Sequence, residues 1–145
     1  MNDTPLPASR FEPIEHTADV SYRLYAPTFQ DLFVTAGKAL FDAITELDSI
    51  HASLSRTINV TATDAEALLV AWLSELNFCC ITALELFCRF EILSLSQNQI
   101  TAVVHGEKID PARHEIKTEI KAVTYHGLYL RENPEGWEAQ VIFDV

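Results

Sequence analysis

VSYRLYAPTFQDLFVTAGKALFDAITE, residues 20 to 46, carries the choice of fold. Val20, Tyr22, Leu24 and Ala26 alternate with Ser21, Arg23 and Tyr25, the period of a strand with one face buried. Pro27 ends the strand, since it brings no N–H to a ladder. Thr28 with Asp31 three residues on forms a capping pair, the carboxylate standing in for the usual Glu or Gln. Leu32, Phe33, Ala36, Leu40, Phe41 and Ile44 then recur at helical spacing, so residues 29 to 46 read as an amphipathic helix.

The same grammar starts again after a polar loop. A second alternating strand runs through Ile58, Val60 and Ala62, and Thr63 with Glu66 makes a capping box. Leu68, Leu69, Trp72, Leu73, Leu76, Cys79, Cys80 and Ala83 mark one face of a long helix. Four strand-like runs follow. Cys88, Phe90 and Ile92 lie in the first and Ile100, Ala102 and Val104 in the second, with Ser96-Gln97-Asn98 turning between them. The third places Ile116, Thr118, Ile120 and Ala122 on one face and Lys117, Glu119 and Lys121 on the other. Asn133-Pro134-Glu135-Gly136 then turns the chain into the last, which carries Trp137, Ala139, Val141 and Phe143. Two helices, each followed by hairpin-connected strands, give an α+β domain with a mostly antiparallel sheet. Residues 1–10 read as a flexible lead-in, in a loose first dozen residues, and 11–145 as a single domain.

Length and composition agree. At 145 residues the chain can bury roughly 68% of its unfolded surface and needs no disulfide or metal staple. Hydrophobic residues are 48% and charged residues 21% of the total, ordinary for a globular domain. The net charge of −11 sets the class of partner. A nucleic-acid binder draws affinity from neutralising phosphates, so direct RNA or DNA binding is not expected, nor is attraction to an anionic membrane. Cations and basic proteins fit such a surface. No basic-then-apolar leader opens the chain, and Glu75, Glu85, Arg89 and Glu91 interrupt its richest apolar stretch, 67–95. Cys79, Cys80 and Cys88 lack a Cys-x-x-Cys spacing and sit among large apolar residues, as buried thiols of a reducing, cytoplasmic compartment would.

Chemistry is sought where the fold does not need a polar residue. Glu15-His16-Thr17-Ala18-Asp19 directly precedes the first strand, and Asp144 breaks the apolar end of the last one, beside the carboxylate of Val145. If those two strands pair antiparallel, Asp19, Asp144 and Val145 converge on an oxygen-only set suited to a hard cation. The block from His114 to His126 is the other oddity, readable also as a solvated sheet face with cross-strand charge pairs. His105, His114 and His126 lack a short ligand pair, and neither a Gly-rich phosphate loop nor a nucleophile elbow occurs.

Together, Glu15-His-Thr-Ala-Asp-Val20, Leu69-Val-Ala-Trp-Leu-Ser-Glu-Leu76, the block His114–His126 and the ending Val141-Ile-Phe-Asp-Val145 resemble the archease family, in order and over nearly the whole chain from Phe11. Ser21 departs from the family, which commonly has Gly there. The resemblance implies a two-layer α+β fold built from a duplicated strand-helix-strand-strand module. It implies a non-catalytic protein cofactor of an RtcB-type RNA ligase in tRNA splicing, promoting the ligase's guanylylation and its multiple turnover. An earlier proposal for the family, a chaperone or modulator of a tRNA methyltransferase, is the alternative. A small metal-dependent hydrolase is a third reading, for which the sequence offers no convincing base. Family metal ligands fall on Asp19, Asp144 and Val145, with calcium ahead of magnesium or zinc. Lys121 matches a functionally important lysine, and His16 and Glu75 sit in shared motifs. A monomer or weak oligomer is expected.

Overall fold

In the computed structural model, which describes residues 8–14 and 19–145, the alternating run and the helix after it form as their spacing demands. In chain order the elements are β1 (Arg10–Ile14), β2 (Val20–Ala26), α1 (Phe29–Ile44), a 3-10 turn at Leu47–Ser49, β3 (Leu54–Thr61), α2 (Ala65–Ala83), β4 (Glu85–Leu95), β5 (Gln99–Lys108), β6 (Ala122–Asn133) and β7 (Gly136–Asp144). The Thr28 side chain accepts from the Asp31 N–H at 3.0 Å, so α1 is capped where the sequence places the cap. On α2 the cap moves one residue. Asp64, not Thr63, accepts from the Ala67 N–H, at 2.8 Å.

The strands form two sheets, in which every pairing is antiparallel. Strand–helix–strand–strand describes both halves. β3-α2-β4-β5 pairs in the order β3-β5-β4, and β2-α1-β6-β7 pairs in the matching order β2-β7-β6, with β1 added outside β2. The first unit is split: the whole second unit is inserted between α1 and β6. Both helices pack on both sheets, α1 against β2, β7 and β4, and α2 against β3, β4, β5 and β6.

One apolar cluster results. Phe33, Phe41, Trp72, Leu76, Phe87 and Phe143 are fully buried, each side chain of this size contributing about 1.5–3 kcal/mol. The Trp72 indole N–H also donates to the Phe33 carbonyl at 2.9 Å, tying α2 to α1. α2 is long and apolar enough to cross a membrane, but Leu68, Leu69, Trp72, Leu73 and Leu76 are fully buried in this core. Both expected hairpin turns form. Gly136, at φ 141°, comes so close to β2 that a Cβ there would stand 2.4 Å from the Ala26 carbonyl oxygen.

Two expectations fail. Arg10 to Ile14 do not belong to a loose lead-in; they pair with Ser21 to Tyr25 of β2. Residues 1–7 lie outside the described residues. The strand expected over 116–122 is absent, and β6 begins only at Ala122. Residues 114–121 instead lie as a strap across the helix ends. The Thr45 hydroxyl donates to the Glu115 carbonyl at 2.8 Å, the Lys117 N–H donates to the Ile44 carbonyl at 2.7 Å, and the Asn77 amide donates to the Ile120 carbonyl at 2.8 Å. Backbone groups satisfied by helix ends have no need of a ladder, so alternation here does not make a strand. Ile120 is buried, whereas Ile116, placed on the same face by alternation, is 43% exposed.

Candidate functional site

Register decides what meets at the end of the four-stranded sheet. Val20 of β2 pairs with Phe143 of β7. Asp19 and Asp144 each lie one residue further toward the same end, so the antiparallel pairing on which their convergence depended is present. On the other side of β7, Asp144 pairs with Ala122, and the Lys121 N–H donates to the Asp144 carbonyl at 2.8 Å. Residues 19, 121, 144 and 145 therefore share one sheet end, although up to 126 positions of sequence separate them.

Their environments suit a presenting tip. The Asp144 and Lys121 residues are exposed, and Asp19 is half-buried. Val145 packs its side chain against the core cluster, which anchors the chain beside the tip rather than leaving it frayed. Two carboxylate side chains and the Val145 carboxyl offer oxygen donors only, a set that fits Ca²⁺ or Mg²⁺ better than the softer ions. No group of three His, Cys, Asp or Glu side chains among the described residues is arranged to hold a metal.

The remaining candidates separate. His16 lies outside the described residues. Glu75, half-buried on α2, has Arg56 and Cys79 as its electrostatic neighbours and is not joined to the tip. The histidines go to different partners. His105 faces Glu91 at 3.3 Å, while His114 is 3% exposed and lies 3.2 Å from Glu107. Cys79 and Cys80 are buried and Cys88 is half-buried, all of them free thiols. Burial pushes the Cys80 thiol up to about 11, which keeps it protonated and unreactive.

Sequence reasoning missed Asn77. It is 5% exposed on an otherwise apolar helix face, and its amide fixes the strap one residue before Lys121. An amide flanked by Leu76 and Phe78 at a core position was the available signal. Beside it, Ser74, Asn77, Phe78, Ile81, Lys121 and Val123 line a hollow of about 240 Å³ that contains no His, Asp or Glu. A second hollow of about 260 Å³ shares Asn77 and Ile81 and extends to Leu84, Ile109 and Ile116.

The family model described as the Archease protein family matches residues 11–145. The chain belongs to the archease family. A "Protein archease" of Methanosarcina mazei is 35% identical over 145 residues, covering 97% of this chain and 99% of its own. Another, of Methanopyrus kandleri, is 39% identical over 138 residues, covering 93% and 99%. Among solved structures, protein 1598 of Methanobacterium thermoautotrophicum superposes with a TM-score of 0.76 at 29% identity, over 93% of this chain and 98% of that one. A Thermotoga maritima archease, described as a possible chaperone, superposes at 0.64 with 22% identity over 92% and 96%, a likeness of fold. The α+β archease fold, two helices with two antiparallel sheets, is thus shared with solved family structures.

Proposed function

We propose that this archease is a coactivator of an RtcB-type RNA ligase, promoting ligase guanylylation and multiple turnover through the tip formed by Asp19, Asp144, Val145 and Lys121. The observation that supports it is the shared sheet end: the Val20–Phe143 register and the Lys121–Asp144 backbone bond gather the four residues the family resemblance singles out.

Asp19, Asp144 and the Val145 carboxyl would hold a divalent cation, calcium before magnesium or zinc, which would supply positive charge to phosphate oxygens. The chain's own contribution is positional. β2 and β7 fix the two aspartates relative to each other, the Val145 side chain anchors the end, and the strap delivers Lys121 to the same edge. An exposed lysine there is a point charge for a phosphate or for an acidic residue of the ligase. The net charge of −11 favours approach to a basic, RNA-handling cleft. The chain itself performs no bond-making step in this account.

Labelled GTP provides the test, through the ligase–GMP adduct formed with and without this protein. Asp19→Ala and Asp144→Ala should each reduce adduct formation to the level of ligase alone, while their melting temperatures stay near wild type. Full adduct formation with both variants would remove the tip from the account.

One observation favours a second reading, the chaperone or methyltransferase-modulator role. Phe78, Ile81, Leu84 and Ile116 are 58%, 46%, 55% and 43% exposed. The sequence, with its capped and well-patterned helices, gave no hint of such an apolar surface, which is a usual mark of protein contact. Suppressed aggregation of unrelated unfolded proteins would support that role; dependence on one partner would not.

A further inference from the structure

Four of the six exposed large apolar residues among the described residues lie together, Leu93 and Tyr125 being the two apart. Phe78 and Ile81 project from the C-terminal half of α2, Leu84 ends it, and Ile116 faces them from the strap. The two hollows they line, about 260 and 240 Å³, meet at Asn77 and Ile81 and form one groove between α2 and the strap. One end lies at Leu84, Ile109 and Ile116; the other lies at Lys121, whose N–H is bonded to Asp144.

Leu84 stands at the far end of this groove. It is the residue that closes α2, with φ 55° and ψ 43°, the left-handed conformation that glycine adopts freely and leucine does not. A leucine here is both strained and 55% exposed. The helix-closing bonds, Leu84 N–H to the Cys79 carbonyl and Ile109 N–H to the Leu84 carbonyl, hold the conformation, and the exposed apolar side chain it presents suits a contact made on assembly.

We propose that this groove is a docking site for an apolar segment of a basic partner protein, seated between α2 and the strap and directed toward the acidic tip. Charge decides between occupants. A second copy of a chain at −11 is repelled, and Glu115 and Glu119, both exposed on the strap, place negative charge beside the groove. Of the lysines around it, Lys117 pairs with Glu46 at 3.5 Å and donates to the Asp42 carbonyl, Lys108 donates to the Ala83 carbonyl at the Leu84 end, and Lys121 lines the tip end, so the excess of acid belongs to the chain as a whole. The apolar floor fits side chains such as Leu or Ile, and the acidic margin fits Lys or Arg flanking them. The proposal takes its partner, the ligase, from the coactivator reading.

The test uses an RtcB-type ligase from the same genome as probe, with binding and stimulation measured separately. Ile81→Gln and Leu84→Gly should each weaken binding at least about tenfold, as an anchor near the middle of an interface does, with melting temperatures near wild type. Asp144→Ala should fail to stimulate. Wild-type affinity should fall as salt is raised from about 0.1 to about 0.5 M, because screening weakens the charged margin. Unchanged binding by both groove variants would overturn the proposal and leave the coactivator reading standing. Wild-type binding without stimulation, lost in the groove variants, would support the groove and overturn the coactivator reading. A wild-type protein that neither binds nor stimulates overturns both. A wild-type dimer that Ile81→Gln dissociates would give the groove to a second copy and likewise overturn the proposal.

Discussion

Leu84 shows how little of a contact's cost is visible in spacing alone. A non-glycine residue in the left-handed region loses roughly 1–2 kcal/mol, while half-burying a leucine returns about half of the 1.5–3 kcal/mol of full burial. The two nearly cancel, so Leu84→Gly should shift the melting temperature by no more than a few degrees. A loss above about 2 kcal/mol in chemical denaturation would make the side chain part of the core. Glu107 is the opposite case. Burial alone would raise its pKa, but the His51 N–H and the Arg113 guanidinium outweigh burial and hold the carboxyl below the ordinary Glu value. A carboxylate depressed in the folded state stabilises above its unfolded pKa, about 4.3, and that stability is lost as pH falls through the lower folded value. Glu107→Gln should therefore cost about 1–3 kcal/mol at pH 7 and flatten the acid side of the stability curve. Denaturation midpoints at pH 7 and pH 4 check this: a variant as acid-sensitive as wild type would contradict it. Asp19 and Asp144 were legible by position, one just before an alternating strand and one breaking the apolar end of the last. Asn77 was not, because its partner, the Ile120 carbonyl, is 43 residues away in sequence and invisible to local pattern.

At the scale of elements, strong periodicity was readable and borrowed bonds were not. α1, α2, β2 and both hairpins follow from apolar spacing, caps and turn residues. β1 escaped because it is a five-residue edge strand with Pro13 in it, and alternation has little length in which to show. The strap was misread as a strand because its side chains alternate while its backbone bonds go to Ile44, Thr45 and Asn77. Those bonds make the strap the positioning device for Lys121. Asn77→Leu removes the amide and leaves the Ile120 carbonyl unpaired, a loss of about 1–3 kcal/mol. Hydrogen exchange should then accelerate at the Lys117 and Lys121 amides while the centre of β5 stays protected. Equal acceleration in both places would mean global destabilisation and would contradict a local role.

For the whole molecule, the nested duplication is what composes the tip. Inserting β3-α2-β4-β5 into the first unit places β7 at the end of the chain yet next to β2 at its start, so Asp19 and Asp144 become neighbours. Sequence order supplies the residues, and only the register supplies their meeting. The fold class and the recurrence of strand, helix and strands could be read from pattern, and the duplicated strand-helix-strand-strand module from the family resemblance. The division into two sheets and the exposed groove could not, since both depend on which helix faces pack where. If the tip holds calcium, saturating it at about 100 times Kd should stabilise the protein by about 2.7 kcal/mol. Asp19→Asn with Asp144→Asn should abolish that gain, and a retained calcium shift would place the ion elsewhere.

The most direct measurement is a ligation time course with the RtcB-type ligase limiting, comparing no addition, this protein and its Asp144→Ala variant. The wild-type chain should give many products per ligase, and Asp144→Ala no more than ligase alone. Multiple turnover sustained by a folded Asp144→Ala protein, or none with the wild-type chain, would contradict it.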